Sequence, residues 1–183
     1  MPETAGAHYL TDALAQFRKY KRMADAAIAQ VSDEDFFRAP DPESNSIALV
    51  MKHLAGNMRS RWRDFPRGDG EKADRNRDAE FEKEAGDSRA SVTARWEEGW
   101  DLLFRALEPI REDGLFEKVP IRGEPHTVLE AMQRQLTHYA YHVGQIVYLA
   151  KHYAGARWKS LSIPKGKSRE FDVAKSGQSY PLR

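Results

Sequence analysis

His138 and His142 stand four residues apart in the run HYAYHVGQI, residues 138–146. At about 100° per residue, positions i and i+4 of a helix project to the same side. The two imidazoles would lie about one turn apart, a spacing that suits two adjacent positions on zinc or nickel. Gln145 continues that face. A second stretch, VMKHLAGNM at 50–58, places His53 beside the apolar Leu54 and sets Asn57 one turn further on. If the two helices pack together, His53 can face the His138/His142 pair. Three histidines would leave a coordination position for water or substrate, as catalytic metal sites do and closed structural sites do not. Spacing alone keeps a second reading open, in which these are core histidines satisfied by their neighbours. His8, His126 and His152 have weaker cases. His8 lies at a soft helix start, His126 precedes a cap, and His152 is near a helix end, where an imidazolium suits the dipole.

The composition narrows the chemistry. The chain has 183 residues and no cysteine, which excludes disulfides, thiolate nucleophiles and Cys-held zinc. Any metal must be held by nitrogen or oxygen. With 29 basic and 28 acidic residues the formal charge is +1, which argues against a dedicated nucleic-acid binder. No apolar run approaches the roughly 18 residues of a membrane span. MPETAGAHYLTDAL does not read as a signal peptide, so a cytoplasmic protein with neither a nucleic-acid nor a membrane partner is expected.

The elements that must carry these residues are helices. Leu10, Leu14, Phe17, Ala24, Ile28 and Val31 predict an amphipathic helix over 7–30. Ser32 and Asp35 suggest a capping box opening a short turn. Ile47, Met51, Leu54, Met58, Trp62 and Phe65 form the stripe of a second long helix, expected to end at Pro66. Residues 67–87 are charged and contain glycine, a long connection of the kind that is functional or mobile. Val92, Trp96, Trp100, Leu103 and Leu107 predict a third long helix from Ser88 to about Leu107. FEKVPIRGEPHTV alternates around Arg122-Gly123, which reads as a small hairpin or extended loop. Thr127 and Glu130 form a capping box for the longest helix, which runs to about Tyr153 with Gly155 as its stop. The expected fold is all-α, a four-helix bundle over 1–155 with a long loop between the second and third helices. An irregular C-terminal extension, 156–183, would pack on the bundle or on a partner subunit.

Four strings resemble the DinB-like superfamily, and within it a bacterial branch of undefined function. They are NSIALVMKHLAGNMRSRWRDF (45–65), DGEKADRNRDAEF (69–81), HYAYHVGQIVYLAKH (138–152) and WKSLSIPKGKSREF (158–171). The resemblance covers nearly the whole chain. It implies a DinB-like four-helix bundle, commonly dimeric, with a divalent metal held by three histidines. The carry-over falls on His53, His138 and His142, all of which are histidine here. Some relatives are thiol transferases that use bacillithiol, mycothiol or glutathione-like thiols, and others are metal-dependent hydrolases or isomerases.

A divalent ion on three neutral imidazoles lowers the pKa of a water or thiol at its open position. Such chemistry needs a proton acceptor and a group that polarises the electrophile. Asp78 and Glu80 are candidate acid–base residues, because the long loop could fold over the bundle mouth. Arg61, Arg75 and Arg77 are candidates to clamp a carboxylate or phosphate. Asn57 and Gln145 would hold imidazole tautomers or contact substrate. Taken singly, each of these also fits an ordinary structural role. Trp62, Trp96, Trp100 and Tyr141 read as core at helical spacing, with Tyr141 also a candidate substrate contact. The basic tail, Arg157, Lys159, Lys165, Lys167 and Arg169, reads as solvated or dimer-contacting. The expected function is a metal-dependent thiol S-transferase or hydrolase acting on a small electrophile. Zinc or nickel is favoured, manganese and iron are compatible, and a low-molecular-weight thiol and a second copy of the chain are the expected partners. The rival is a non-catalytic, stress-related dimeric bundle with a structural or vestigial metal.

Overall fold

Thr4, Ser32, Ser46, Ser88 and Thr127 each adopt extended backbone and accept a hydrogen bond from the amide three residues on. Each therefore satisfies one of the free amides at a helix start. The helices they open are α1 (Ala5–Ile28), α2 (Asp33–Phe37), α3 (Ile47–Trp62), α4 (Arg89–Leu107) and α5 (Val128–Ala154). The Thr127/Glu130 capping box is present at α5, and Ser91 is the reciprocal partner at α4. The structure, a computed structural model, describes residues 3–167. It is mostly helical, with one small sheet among the described residues.

The four long helices share one core. Phe17 of α1, Leu54 and Met58 of α3, Trp96 and Trp100 of α4 and Tyr139 of α5 are all fully buried in it. α1 lies along α5, α4 along α3, and α3 also meets α5. The α3–α4 crossing is close: a Cβ added at Gly99 would meet the Ala55 Cα at 3.3 Å. Thirteen of the sixteen residues of α3 are buried, so this helix is covered on more than its apolar stripe. Lys52, His53, Asn57, Ser60 and Arg61 occupy the extra buried positions.

The long connection after α3 supplies that cover. α3 stops at Trp62 rather than at Pro66: Arg63 is already extended, and Asp64 takes a φ of 62°. Proline requires only that its predecessor leave the helical region, and the chain turns away earlier. The segment is then pinned down. The Asp69 carboxylate accepts from the Arg122 and Gly123 amides at 2.9 and 2.8 Å, the Gly70 amide donates to the Pro120 carbonyl, and the Lys72 amide donates to Ser60 Oγ. Lys52 reaches out of α3 to Asp87 at 2.6 Å and to the Glu82 carbonyl at 2.7 Å.

Arg122 and Gly123 do form a hairpin turn. Both have positive φ, 57° and 76°, the requirement of a tight two-residue connection. It joins β1 (Lys118–Ile121) to β2 (Glu124–Thr127) in antiparallel register, Ile121 opposite Glu124. After Gly155, at φ 53°, the start of the C-terminal extension lies against the turn that follows α1. The Lys159 amide donates to Gln30 Oε1, and Gln30 Nε2 donates back to the Lys159 carbonyl. Arg169 and the rest of the extension beyond residue 167 lie outside the described residues. No described helix is long and apolar enough to cross a membrane.

Candidate metal centre

The packing of α3 on α5 brings His53 to the pair on α5. The ring centroids lie 5.3 Å (His53–His138), 4.8 Å (His53–His142) and 4.7 Å (His138–His142) apart. Each histidine offers one ring nitrogen to a group whose members all lie within 4.8 Å of one another. The Nε2 atoms of His53 and His138 are 3.3 Å apart. His53 and His142 are buried, and His138 is half-buried. No other His, Asp or Glu joins this group among the described residues.

Two of the three rings have their far nitrogen engaged. His53 Nδ1 lies 2.9 Å from Glu80 Oε2, and His142 Nδ1 lies 2.8 Å from Gln145 Oε1. A carboxylate oxygen can only accept, so Nδ1 of neutral His53 carries the proton and its Nε2 keeps a lone pair. Gln145 donates its Nε2 to the Tyr141 hydroxyl, leaving Oε1 to accept from His142. Both rings therefore present bare Nε2 atoms inward, as outer partners do at metal sites.

Glu80 is held in turn. Arg75 grips both of its oxygens, with Nε to Oε1 at 2.8 Å and Nη2 to Oε2 at 2.9 Å. Burial works against ionising Glu80, but the bonds from Arg75 and His53 outweigh it and hold the carboxyl below its usual range. Gly56 makes this contact possible. A Cβ there would collide with the Glu80 carboxylate, so the glycine is the notch in α3 through which the loop reaches His53. Phe81, from the same 3-10 turn (Asp78–Phe81), stacks on the His53 ring at 4.6 Å. Burial pushes His138 down to about 3, helped by His142, His53 and nearby Arg75 and Arg61. Burial also lowers His142, against a raising bond from Gln145. Neutral imidazole is the form that binds a metal, so these environments favour the ligating state.

A cleft of about 500 Å³ opens beside the histidines. His53, His138, Asn57 and Tyr141 contribute to its wall, together with Arg61, Arg75, Arg77, Arg122 and Arg134. Asn57 is held by a buried relay from Trp62 through Tyr139. Trp62 Nε1 can only donate, and it donates to the Tyr139 hydroxyl at 2.9 Å. The Tyr139 hydroxyl in turn donates to Asn57 Oδ1, at 3.1 Å. The Asn57 amide nitrogen is left without a partner among the described residues, on a side chain that lines the cleft. A second cleft, of about 420 Å³, lies across Arg75 and Glu80 between the loop, α3 and α4, and contains no histidine.

The expected site residues separate accordingly. His53, His138, His142, Glu80 and Gln145 come together. Glu80 stands behind His53 with both oxygens engaged instead of facing the cleft. Asp78 is exposed at the start of its turn and lines neither cleft. Arg61 is buried, its guanidinium bonded to the Gly70 carbonyl and to Glu71 at 3.4 Å. Arg77 is half-exposed on the cleft wall and bonds Glu71 at 3.2 Å. Trp62, Trp96 and Trp100 are core, but Tyr141 is 61% exposed, a correction to its reading as core. Its position on α5 points outward, over Gln145. His8 and His152 are exposed, His126 is half-buried, and all three lie apart from the group. Arg122, Arg134, Gln135 and Phe81 belong to the site without having been anticipated. Arg134 was within reach of the same argument as the histidines, since it precedes His138 by four residues.

No curated protein and no solved structure matches this chain. Over residues 4–167 it matches the model of a family described as a protein of unknown function, DUF1572. With nine-tenths of its length inside that match, the chain belongs to the DUF1572 family.

Proposed function

We propose that this chain is a DinB-like four-helix-bundle metalloenzyme, with His53, His138 and His142 holding a divalent ion. The observation that carries the reading is the convergence of three ring nitrogens within 4.8 Å, two of the rings anchored on their far side. The donor set fits such an ion: nitrogen only, neutral, and without a fourth protein ligand among the described residues. Zinc or nickel suits it best, with manganese and iron compatible. When bound, the ion supplies the Lewis acidity that lets a water or a thiol act as a nucleophile near neutral pH.

The chain's own residues do the rest. Glu80 and Gln145 fix the tautomers of His53 and His142. Phe81 covers one face of His53 and keeps water from it. The free amide nitrogen of Asn57 offers a hydrogen bond to a substrate oxygen in the cleft. The reaction class is transfer of a low-molecular-weight thiol to a small electrophile, or hydrolysis of one. The protein acts as a homodimer in the cytoplasm, and exposed Tyr141 and Tyr148 on the outer side of α5 offer apolar surface for a second copy. Neither nucleic acid nor membrane is part of the reading.

The first test is elemental analysis of untagged protein, wild type beside His142→Ala. Close to one zinc, nickel or other divalent ion per chain, lost in the variant, is expected. A folded wild type that stays metal-free after divalent ions are supplied would overturn the proposal. An ion retained with full occupancy in folded His142→Ala would do the same for the assigned ligand set.

A further inference from the structure

The cleft beside the histidines is unusually cationic for a chain of near-zero net charge. Five arginines line it, Arg61, Arg75, Arg77, Arg122 and Arg134. Two carboxylates answer them. Glu80 is occupied with Arg75 and His53. Glu71 is shared by four guanidiniums: Arg122 and Arg77 at 3.2 Å, Arg61 at 3.4 Å and Arg75 at 3.5 Å. Burial works to raise the Glu71 pKa, but these four neighbours more than offset it and hold the group ionised. One carboxylate has too few lone pairs to saturate four forks. Arg134, on α5 one turn before His138, has no ion-pair partner among the described residues. A concave wall of one sign of charge raises the local concentration of the opposite charge.

A second observation comes from the cleft's neutral groups. Gln135 is 2% exposed and lines the cleft, yet its Oε1 has no hydrogen-bond partner. Arg61 Nε, on a side chain only 5% exposed, is likewise without one. Buried polar atoms are nearly always satisfied, and orphaned ones beside an opening mark where a ligand or its water shell completes the bonding.

We infer that the cleft is an anion-recognition subsite, and that the substrate of this protein is a small molecule carrying a carboxylate or phosphate. Arg122, Arg134 and Arg77 grip the anion from the open side of the cleft. Arg61, through its unpartnered Nε donor, forms its buried floor, and Gln135 Oε1, which can only accept, takes a hydrogen bond from a hydroxyl, amine or water beside the anion. Guanidinium forks suit both oxyanions, because each presents two oxygens in one plane. A volume of about 500 Å³ fits a metabolite-sized ligand. The substrate assignment rests on the metalloenzyme reading, which places the reacting group over the histidines. The anion contact itself can be measured separately.

The test is calorimetric titration with inorganic phosphate and, in parallel, with succinate at low ionic strength. It uses wild type, the Arg122→Gln/Arg134→Gln double variant and His142→Ala, each with its metal content and circular dichroism recorded. Both arginines are exposed, so the double variant should keep its fold. Wild type should bind at least one probe in the millimolar range or tighter, with affinity falling as salt rises. The double variant should bind about tenfold more weakly, with unchanged metal content. The probe that binds tells which oxyanion the substrate carries. Failure of wild type to bind either probe would overturn the inference. So would equal binding by wild type and double variant. If binding then disappears only in His142→Ala, the anion sits on the ion and the metal reading survives alone. Arginine-dependent binding by protein that takes up no metal would keep the anion subsite and remove the metalloenzyme reading.

Discussion

Glu80 sets the geometry of His53 without touching the cleft, so its contribution can be separated from that of the ligands. Glu80→Gln keeps the shape and an acceptor oxygen but removes the charge that Arg75 and His53 share. Metal affinity should fall about 10–100-fold, as at other sites where the outer partner of a ligating histidine is changed. Competition with a fluorescent chelator measures this, and affinity equal to wild type would show that the carboxylate does not tune the site. Glu80→Ala asks a different question, because it leaves the buried Arg75 guanidinium with only its longer, 3.5 Å contact to Glu71. That change should cost about 1–3 kcal/mol of folding stability, read by denaturant unfolding. Trp62→Phe acts on the neighbouring relay. Without the indole donor, the buried Tyr139 oxygen loses one hydrogen bond while its own donation to Asn57 Oδ1 remains.

At the level of elements, two glycines in helices make opposite predictions. Gly144 lies within α5 and a Cβ there would meet nothing within 4 Å. Gly144→Ala should therefore raise stability by about 0.5–1 kcal/mol through helix propensity alone. Gly56 lies within α3, but its Cβ would collide with the Glu80 carboxylate. Gly56→Ala should lower stability by about 1–3 kcal/mol and weaken metal binding with it, because the loop must lift away from His53. Thermal unfolding of both variants, each with its metal content, decides the point. A Gly56→Ala protein as stable as Gly144→Ala would mean that the loop does not depend on the notch. The hairpin belongs to the same assembly. Asp69 caps its turn amides and so joins the loop that carries Glu80 to the strand pair that carries Arg122.

For the molecule as a whole, the buried histidines couple folding to pH. His138 is pushed down to about 3 and His142 is lowered, whereas in the unfolded chain both titrate near pH 6.5. Above about pH 6.5 neither state carries these protons, and the two groups do not affect stability. Between about 6.5 and 3 the unfolded chain binds protons that the native state refuses, so stability falls as the pH falls. The carboxylates with lowered values, Glu71, Glu80 and Asp87, add their own loss only below about pH 4.5. Denaturant unfolding of metal-free protein at pH 7 and pH 5 isolates the histidines. Wild type should lose more stability between the two than His138→Gln, and parallel losses would remove His138 from the account.

Much of this was legible in the order of residues alone. The four long helices followed from apolar spacing and from caps such as Ser88 and Thr127, because both act within a few residues along the chain, whereas the helix α2, expected as a short turn, and the early end of α3 at Trp62 did not. The turn at Arg122-Gly123 was visible for the same reason. His138 and His142 were visibly a pair, since one helical turn determines their relation. What local spacing could not supply was any relation between distant segments. That His53 meets the pair depends on how α3 packs against α5. That Glu80 orients His53 while Asp78 faces solvent depends on a loop whose path is set by Gly56, Lys52 and Asp69. Charged residues in an irregular segment have no periodicity to reveal which of them turns inward. The five arginines come from α3, the loop, the hairpin and α5, and are scattered among 29 basic residues in a balanced chain. Their common field exists only where the tertiary structure brings them to one wall, because electrostatic potential sums over distance in space and not along the sequence.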